Sequence, residues 1–138
     1  MQVFIDSSTW LAYYLSDEPD HIRVKNIIKK SNKEGKTIVT SNDVIDETVT
    51  FLVYHKPQLV RKFIDFVQKA ITTNALVQLW VDEEIQGQAF ELVQKFSEHR
   101  LSLTDATTIS LAKKFHIEAI LTLDSDFTKL KAPVFPLY

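Results

Sequence analysis

Cysteine is absent from the 138 residues, and glycine occurs only at Gly35 and Gly87. Without cysteine, the chain has no disulfide framework, no zinc–thiolate site and no thiol nucleophile. With two isolated glycines, it has no glycine-rich loop for a dinucleotide or a nucleoside triphosphate, and no G-x-S-x-G turn for a serine nucleophile. These absences exclude several large enzyme classes and leave chemistry that relies on oxygen and nitrogen side chains.

Long apolar runs are also absent, because no segment approaches the roughly 20 apolar residues of a membrane-spanning helix. The opening MQVFIDSS lacks the basic and apolar regions of a secretory signal. We therefore expect no membrane partner and a cytoplasmic location. Hydrophobic residues make up 45% of the chain, which is enough for a core, and the length predicts one domain over residues 1–138.

An excess of positive charge is missing too, since 16 basic residues face 18 acidic ones and the net charge is −2. This balance by itself argues against a nucleic-acid partner. The argument weakens if four acids bind a cation, because the basic residues then outnumber the remaining acids. Six basic residues between Arg23 and Lys36 form either a solvated helix face or a phosphate-contacting surface.

Short apolar segments alternate along the chain with longer segments of helical periodicity. Strands are predicted at 2–6, 37–41, 75–81 and 118–123, with a terminal strand in 132–138. Helices are predicted at 7–18, at 20–34, from Asn42 as N-cap to 55, from Pro57 onward, from Asp82 as N-cap to 96, and from Thr104 or Asp105 onward. The alternation predicts an α/β fold, with a mostly parallel central sheet between two layers of helices.

Four carboxylates are predicted where strands end or near the beginnings of helices: Asp6, Glu47, Asp105 and Asp124. In a parallel sheet, ligands bind beyond the carboxyl ends of the strands, where Asp6 and Asp124 are expected. Acids that converge there repel one another unless a divalent cation binds them. We expect Mg²⁺ or Mn²⁺, because all-oxygen ligands favour these ions over zinc, and Asp126 is a possible additional ligand.

Each of these acids also has a purely structural interpretation. Asp6 and Asp105 suit the beginning of a helix, where an aspartate caps free N–H groups, and Asp124 suits a turn. Glu47 shares its helix with two other acids, Asp43 and Asp46. A helical wheel places Glu47 nearest the buried border of that helix, although the margin is small.

Other side chains have supporting roles in this interpretation. Ser7 and Ser8 are predicted to orient Asp6 by hydrogen bonds, and Thr122 is predicted to orient a water molecule or a carboxylate. Basic residues such as Lys25, Lys29 and Arg100 are candidates for contacts with phosphate. The four histidines show neither H-x-x-x-H nor H-E-x-x-H spacing, so we expect them at the surface or at its boundary with the core: His21, His55, His99 and His116.

The fragments VFIDSS, DETV, LTDA and LTLDSDF occur in an order and spacing that are more specific than any fragment alone. In these fragments the chain resembles the PIN-domain family over essentially its whole length, and within it the small VapC-type toxin ribonucleases. The resemblance implies an α/β/α sandwich whose acids bind Mg²⁺ or Mn²⁺. It also implies RNA as substrate, a homodimer and, for a toxin, a small antitoxin protein as partner. The implied ligands are Asp6, Glu47, Asp105 and Asp124, with Asp126 optional.

Together these features predict hydrolysis of RNA phosphodiester bonds with water activated by a divalent cation, without a protein nucleophile. One alternative is a phosphatase of the haloacid-dehalogenase type, which needs a second acid two residues after its nucleophilic aspartate. Ser8 occupies that position here. The other alternative is a PIN-like module that binds RNA or a protein without cleaving RNA.

Overall fold

The structure, a computed structural model, describes residues 1–124 and the backbone of residues 134–136. Five strands and six helices alternate in this part of the chain, as predicted. The strands are β1 (Gln2–Ile5), β2 (Thr37–Ser41), β3 (Val77–Leu79), β4 (Ala119–Thr122) and β5 (Val134–Pro136). The helices are α1 (Ser7–Tyr14), α2 (His21–Lys33), α3 (Asn42–His55), α4 (Val60–Thr72), α5 (Glu83–Lys95) and α6 (Leu103–Lys114).

Within residues 1–124, two elements are four residues shorter than predicted, whereas the ends of other elements differ by one or two residues. The strand expected at 75–81 is regular only over Val77–Leu79, and the first helix ends at Tyr14 because Leu15 adopts an extended conformation. Helix α2 ends at Lys33, and Gly35 follows with φ of 74°, a left-handed conformation that glycine adopts without steric cost. Pro57 begins a 3₁₀ turn, Pro57–Leu59, that leads into α4.

Two predicted helix caps are wrong, and both errors have the same cause. The hydroxyl of Ser41, not the side chain of Asn42, accepts the hydrogen bond that caps α3. Likewise Ser102 accepts a 3.0 Å hydrogen bond from the N–H of Asp105, so α6 begins at Leu103 rather than at Thr104 or Asp105. In each case a serine that precedes the predicted cap performs the capping. Asp82 caps α5 as predicted.

The five strands are parallel and lie in the order β3-β2-β1-β4-β5. From β1 the chain first builds one side of the sheet through β2 and β3, then returns to place β4 on the other side of β1. The direction of growth therefore reverses between β1 and β4, which is where an open parallel sheet forms a crevice at its carboxyl edge. The predicted three-layer α/β/α architecture is confirmed.

The core is formed by the central strands and by aromatic side chains of α1 and α4. Phe4 and Ile5 of β1 are fully buried. Phe63 of α4 is fully buried as well, and its ring lies 6.1 Å from that of Trp10 and 5.1 Å from that of Tyr14, both in edge-to-face geometry. This packing anchors α1, whose N-terminus follows directly from β1.

None of the helices in the described part of the chain has the length and apolar character that crossing a bilayer demands.

The aromatic cluster generates a test of the fold. Truncation of Phe63 to alanine is expected to lower the free energy of unfolding by about 3–5 kcal/mol, because it leaves a cavity against Trp10 and Tyr14. Phe90→Ala on α5 is the matched control, since Phe90 is 45% exposed and its loss is expected to cost at most about 1 kcal/mol. Denaturant titration measures both, and equal losses would contradict the packing described.

Candidate active site

The candidate site lies at the carboxyl ends of β1 and β4. The pairing of Ile5 with Leu121 makes Asp6 and Thr122 the next residues on adjacent strands. The backbone N–H of Asp6 donates a 3.1 Å hydrogen bond to the carbonyl of Leu121, so the sheet ladder extends up to the site. A carboxylate attached to this ladder has a fixed position in the molecule.

Two hydroxyl groups hold one oxygen of the Asp6 carboxylate. Thr122 Oγ1 donates to Asp6 Oδ2 at 2.7 Å, and Ser8 Oγ lies 3.4 Å from the same oxygen. The same hydroxyls accept hydrogen bonds from the chain beyond β4, Thr122 from the N–H of Asp124 and Ser8 from the N–H of Leu123. The network thus fixes the Asp6 carboxylate and the turn that carries Asp124.

The other oxygen of Asp6 has no partner in the described part of the chain. Asp6 is only 2% exposed, and its Oδ1 is buried without a hydrogen bond. Asp6 stands at the N-cap position of α1, but its side chain makes no capping hydrogen bond. The structural interpretation of Asp6 as a helix cap is therefore wrong, and a buried acceptor remains available to a donor or a cation.

Glu47 reaches the site from α3. Its Oε1 accepts a short hydrogen bond from the hydroxyl of Ser7, the first residue of α1. Ser7 therefore orients Glu47, whereas the sequence had suggested that Ser7 and Ser8 both orient Asp6. The difference arises because consecutive residues at the beginning of a helix point about 100° apart, so their hydroxyls face different neighbours.

The helical-wheel ranking of the acids on α3 is wrong. Asp43 is half-buried, whereas Asp46 and Glu47 belong to the exposed residues. Burial raises the pKa of Asp43, and the hydroxyl of Thr107 on α6 opposes that rise by hydrogen bonding. A helical wheel assumes that only one face of the helix is buried. The beginning of α3 is also covered by α6, so Asp43 is partly buried on a second face. Glu47 is nevertheless the α3 acid whose charge acts on Asp6.

Asp105 is the third residue of α6 and is half-buried. Because Ser102 caps this helix, the Asp105 carboxylate is not needed as a cap. Burial, followed by the charge of Asp6, raises the pKa of Asp105 to about 7. Burial likewise raises the pKa of Asp6 to about 6, with Glu47 and Asp124 adding to the rise. Asp6 and Asp105 thus each lie in the electrostatic field of neighbouring carboxylates.

Asp124 follows β4 and is half-buried, and its negative charge contributes to the raised pKa of both Asp6 and Asp105. The structure therefore brings the predicted residues Asp6, Glu47, Asp105 and Asp124 into one electrostatic environment, with Ser7, Ser8 and Thr122 between them. Asp126, the optional ligand, lies outside the described residues.

The donor chemistry of this site fits a hard divalent cation. All candidate ligands are carboxylate oxygens, and the free Oδ1 of Asp6 is an unsatisfied acceptor. Within residues 1–124, no three acidic or histidine side chains are close enough to hold an ion as they stand. Closing a shell of ligands around an ion would therefore require these side chains to rotate.

One site contact was missed by the sequence reasoning. The side-chain Oδ1 of Asn42 accepts a 2.7 Å hydrogen bond from the N–H of Val81. It joins the beginning of α3 to the chain that leaves β3, and so helps to position the helix that carries Glu47. An asparagine directly after a strand indicates a side chain that can accept a backbone hydrogen bond. Its partner, Val81, could be predicted only if the pairing of β3 with β2 were known.

Known proteins resemble this chain in sequence and fold. A family model of the PIN domain matches residues 3–133. Ribonuclease VapC26 of Mycobacterium tuberculosis is 31% identical over 127 residues, which cover 88% of this chain and 86% of that protein. The crystal structure of M. tuberculosis VapC20, described as a sarcin–ricin-loop-cleaving toxin, has a TM-score of 0.78 at 24% identity and covers 94% of this chain and 95% of its own. A toxin–antitoxin complex from Klebsiella pneumoniae contains a similar fold, with a TM-score of 0.62, 16% identity and coverage of 99% and 98%.

The raised pKa values generate a prediction for the metal-free protein. A carboxyl whose pKa is higher in the folded than in the unfolded chain contributes stability while it is protonated, and this contribution is lost as the pH rises through the folded value. Stability is therefore expected to fall between about pH 4 and about pH 7, where Asp6 and Asp105 ionise. Asp6→Asn is expected to be about 1–3 kcal/mol more stable than the parent near pH 8.

Denaturant unfolding in the presence of a chelator, repeated across this pH range, measures the effect. Asp65→Asn is the matched control, because Asp65 is an exposed acid on α4 and its change is expected to leave the pH dependence unaltered. A pH profile that is the same in Asp6→Asn as in the parent would show that the pKa of Asp6 is not raised in the folded chain.

Proposed function

The chain belongs to the PIN domain family, and from this membership we propose that it is an endoribonuclease that hydrolyses RNA phosphodiester bonds. Nucleases of this family generally depend on a divalent metal. Here the metal is Mg²⁺ or Mn²⁺, held by Asp6, Glu47, Asp105 and Asp124, with Asp126 as an optional ligand. Residues 1–138 act as one domain, and the protein acts in the cytoplasm.

The observation that supports this proposal most directly is the state of Asp6. A carboxylate that is 2% exposed, with one oxygen held by Thr122 and the other without a donor, is costly to keep in a protein. Three further acids add their negative charge nearby. A hard cation would both bind the unpartnered Oδ1 of Asp6 and reduce the repulsion between the acids. Helix capping or core packing would do neither.

The residues of the chain divide the work in the following way. Thr122 and Ser8 hold Asp6 Oδ2, so that Oδ1 keeps a fixed direction, and Ser7 does the same for Glu47. Asp6 and Asp105 must lose their protons before they bind a cation, so metal binding below about pH 7 displaces protons. When bound, the divalent cation supplies an ionised water and neutralises charge on the phosphate.

The direct test is RNA cleavage by the purified protein with Mn²⁺. The parent is expected to cut RNA, and Asp6→Asn is expected to lose at least about a hundredfold in rate, because it removes the best-positioned charged ligand. Asp65→Asn, the exposed acid on α4, serves as the matched control and is expected to retain full activity. Gel analysis of a structured RNA follows the products, and cleavage that persists in Asp6→Asn or in chelator would refute the proposal.

A second test concerns the positioning of Asp6. Thr122→Val preserves the size of the side chain but removes the 2.7 Å donor to Asp6, so a loss of about 10–100-fold in metal affinity or activity is expected. Thr122→Ser restores the hydroxyl and is expected to recover most of that loss. The measurement is the Mn²⁺ concentration for half-maximal RNA cleavage, which a purely structural role would leave unchanged in a folded variant.

The biological role that follows is that of the toxin in a toxin–antitoxin pair, with a small antitoxin protein as partner. Support comes from the relatives, which are VapC ribonucleases.

We also propose a homodimer. Near the end of α3, Phe51 and Tyr54 lie three residues apart on one face of the helix and are 36% and 79% exposed, an apolar surface that a second copy would cover. The alternative, a PIN-like module that binds without cutting, predicts RNA binding without Mn²⁺-dependent cleavage.

A further inference from the structure

A groove with basic walls lies on the flank of the molecule, outside the acidic site. It is formed where the end of α1, the beginning of α2, the turn after α3 and α4 meet, and its volume is about 610 Å³. We call it the basic groove and define it by three aromatic and three basic side chains: Tyr13, Tyr14, Phe66, Lys25, Lys56 and Lys62.

The floor of the basic groove is aromatic and held in place. The ring of Phe66 lies 6.0 Å from that of Tyr13 and 5.5 Å from that of Tyr14, while Tyr14 also packs on the buried Phe63. All three floor residues remain partly exposed. A fixed aromatic surface of this kind offers π-faces and edges to a nucleobase at little cost in conformational entropy.

The walls carry positive charge that the described part of the chain does not neutralise. Neither Lys25 nor Lys62 has a carboxylate partner within 4 Å among residues 1–124. Lys25 Nζ instead lies 5.5 Å from the centre of the Tyr13 ring. The one acid of the groove, Asp17, is 73% exposed and 3.9 Å from Lys56, a weak pair in water.

Two helices connect the basic groove to the acidic site. On α1, Ser8 contacts Asp6, and Tyr14 lies in the groove. Tyr14 follows Ser8 by six residues, which corresponds to about 9 Å along the helix axis. On α3, Glu47 lies in the site, and Lys56 follows the last turn, about 14 Å away by the same measure. About three or four phosphates span this separation, at roughly 3.4 Å per phosphate of a stacked strand.

From this arrangement we propose that the basic groove binds single-stranded RNA a few nucleotides away from the bond that is cut, with bases on the aromatic floor and phosphates at Lys25 and Lys62. The proposal rests on the ribonuclease function proposed above. The acidic site repels a phosphate backbone, and the whole chain carries a charge of −2. An RNA-cleaving chain of this composition needs a cationic surface within reach of its site, and the basic groove provides one.

The test is a binding titration in the Asp6→Asn background, which prevents cleavage during the measurement. The probe is a labelled single-stranded RNA of about 20 nucleotides and mixed sequence, longer than a site of about 4–16 nucleotides. Lys25→Glu with Lys62→Glu is expected to weaken binding at least about tenfold. It is also expected to lower the slope of log affinity against log salt by about one for each lost phosphate contact.

The matched control is Lys95→Glu with Lys113→Glu, which makes the same charge change at exposed positions on α5 and α6. This pair is expected to change affinity less than about threefold, through net charge alone. Circular dichroism and thermal unfolding establish that both double variants are folded.

The proposal is overturned if the groove variant binds this RNA as tightly as the control variant, or if the Asp6→Asn chain does not bind it. The first outcome would leave the basic groove to an acidic protein segment, the other occupant that suits its charge. Hydrolysis of a small phosphodiester by the parent with Mn²⁺ is measured separately. Failure of that reaction would count against the ribonuclease function, whereas the RNA titration alone decides the role of the groove.

Discussion

The burial of the Asp6 carboxylate among other acids is the constraint around which this site is organised. The Asp6 side chain is almost completely buried. The hydroxyl groups of Thr122 and Ser8 contact its Oδ2, and its Oδ1 has no hydrogen bond within the described chain. Such a group is stable in a folded protein when a proton, a donor or a cation compensates it. The raised pKa of Asp6 and of Asp105 shows that, without a cation, a proton is the available compensation. A divalent cation can replace that proton, and it carries two positive charges and can also activate water.

Serine residues provide the helix-capping hydrogen bonds that aspartates at the same places could otherwise provide. Ser41 and Ser102 cap α3 and α6, so the acids of these helices keep their carboxylates free. Ser7 and Ser8 then orient two different acids from adjacent positions at the beginning of α1. The pattern explains why short polar residues precede or follow the acids of the site: they satisfy the backbone and hold the carboxylates, and the acids are left for the ligand.

The distribution of charge separates two tasks that one surface cannot perform. A cation in the acidic site would attract only the phosphate that is cut, so attraction for the rest of the RNA backbone must come from another part of the molecule. Helix α1 begins at the acids and ends at the basic groove, and α3 leads from Glu47 to Lys56. In the groove, Lys25 and Lys62 lack acidic partners within the described chain. A net charge of −2 is therefore compatible with a nucleic-acid substrate, because local charge and not the total governs contact.

The sequence by itself determined the fold class and the candidates for the site. Alternating periodicity predicts a parallel sheet between helices, and acids that follow apolar strands are expected at its carboxyl edge, because both signals arise from neighbouring residues. The tertiary structure decided what depends on distant contacts. It paired Asp6 with Thr122 across two strands, assigned Ser7 to Glu47, covered Asp43 with α6, and gathered Lys25, Lys56 and Lys62 around one groove. These relations join residues far apart in the chain, and local periodicity carries no information about which of them will meet.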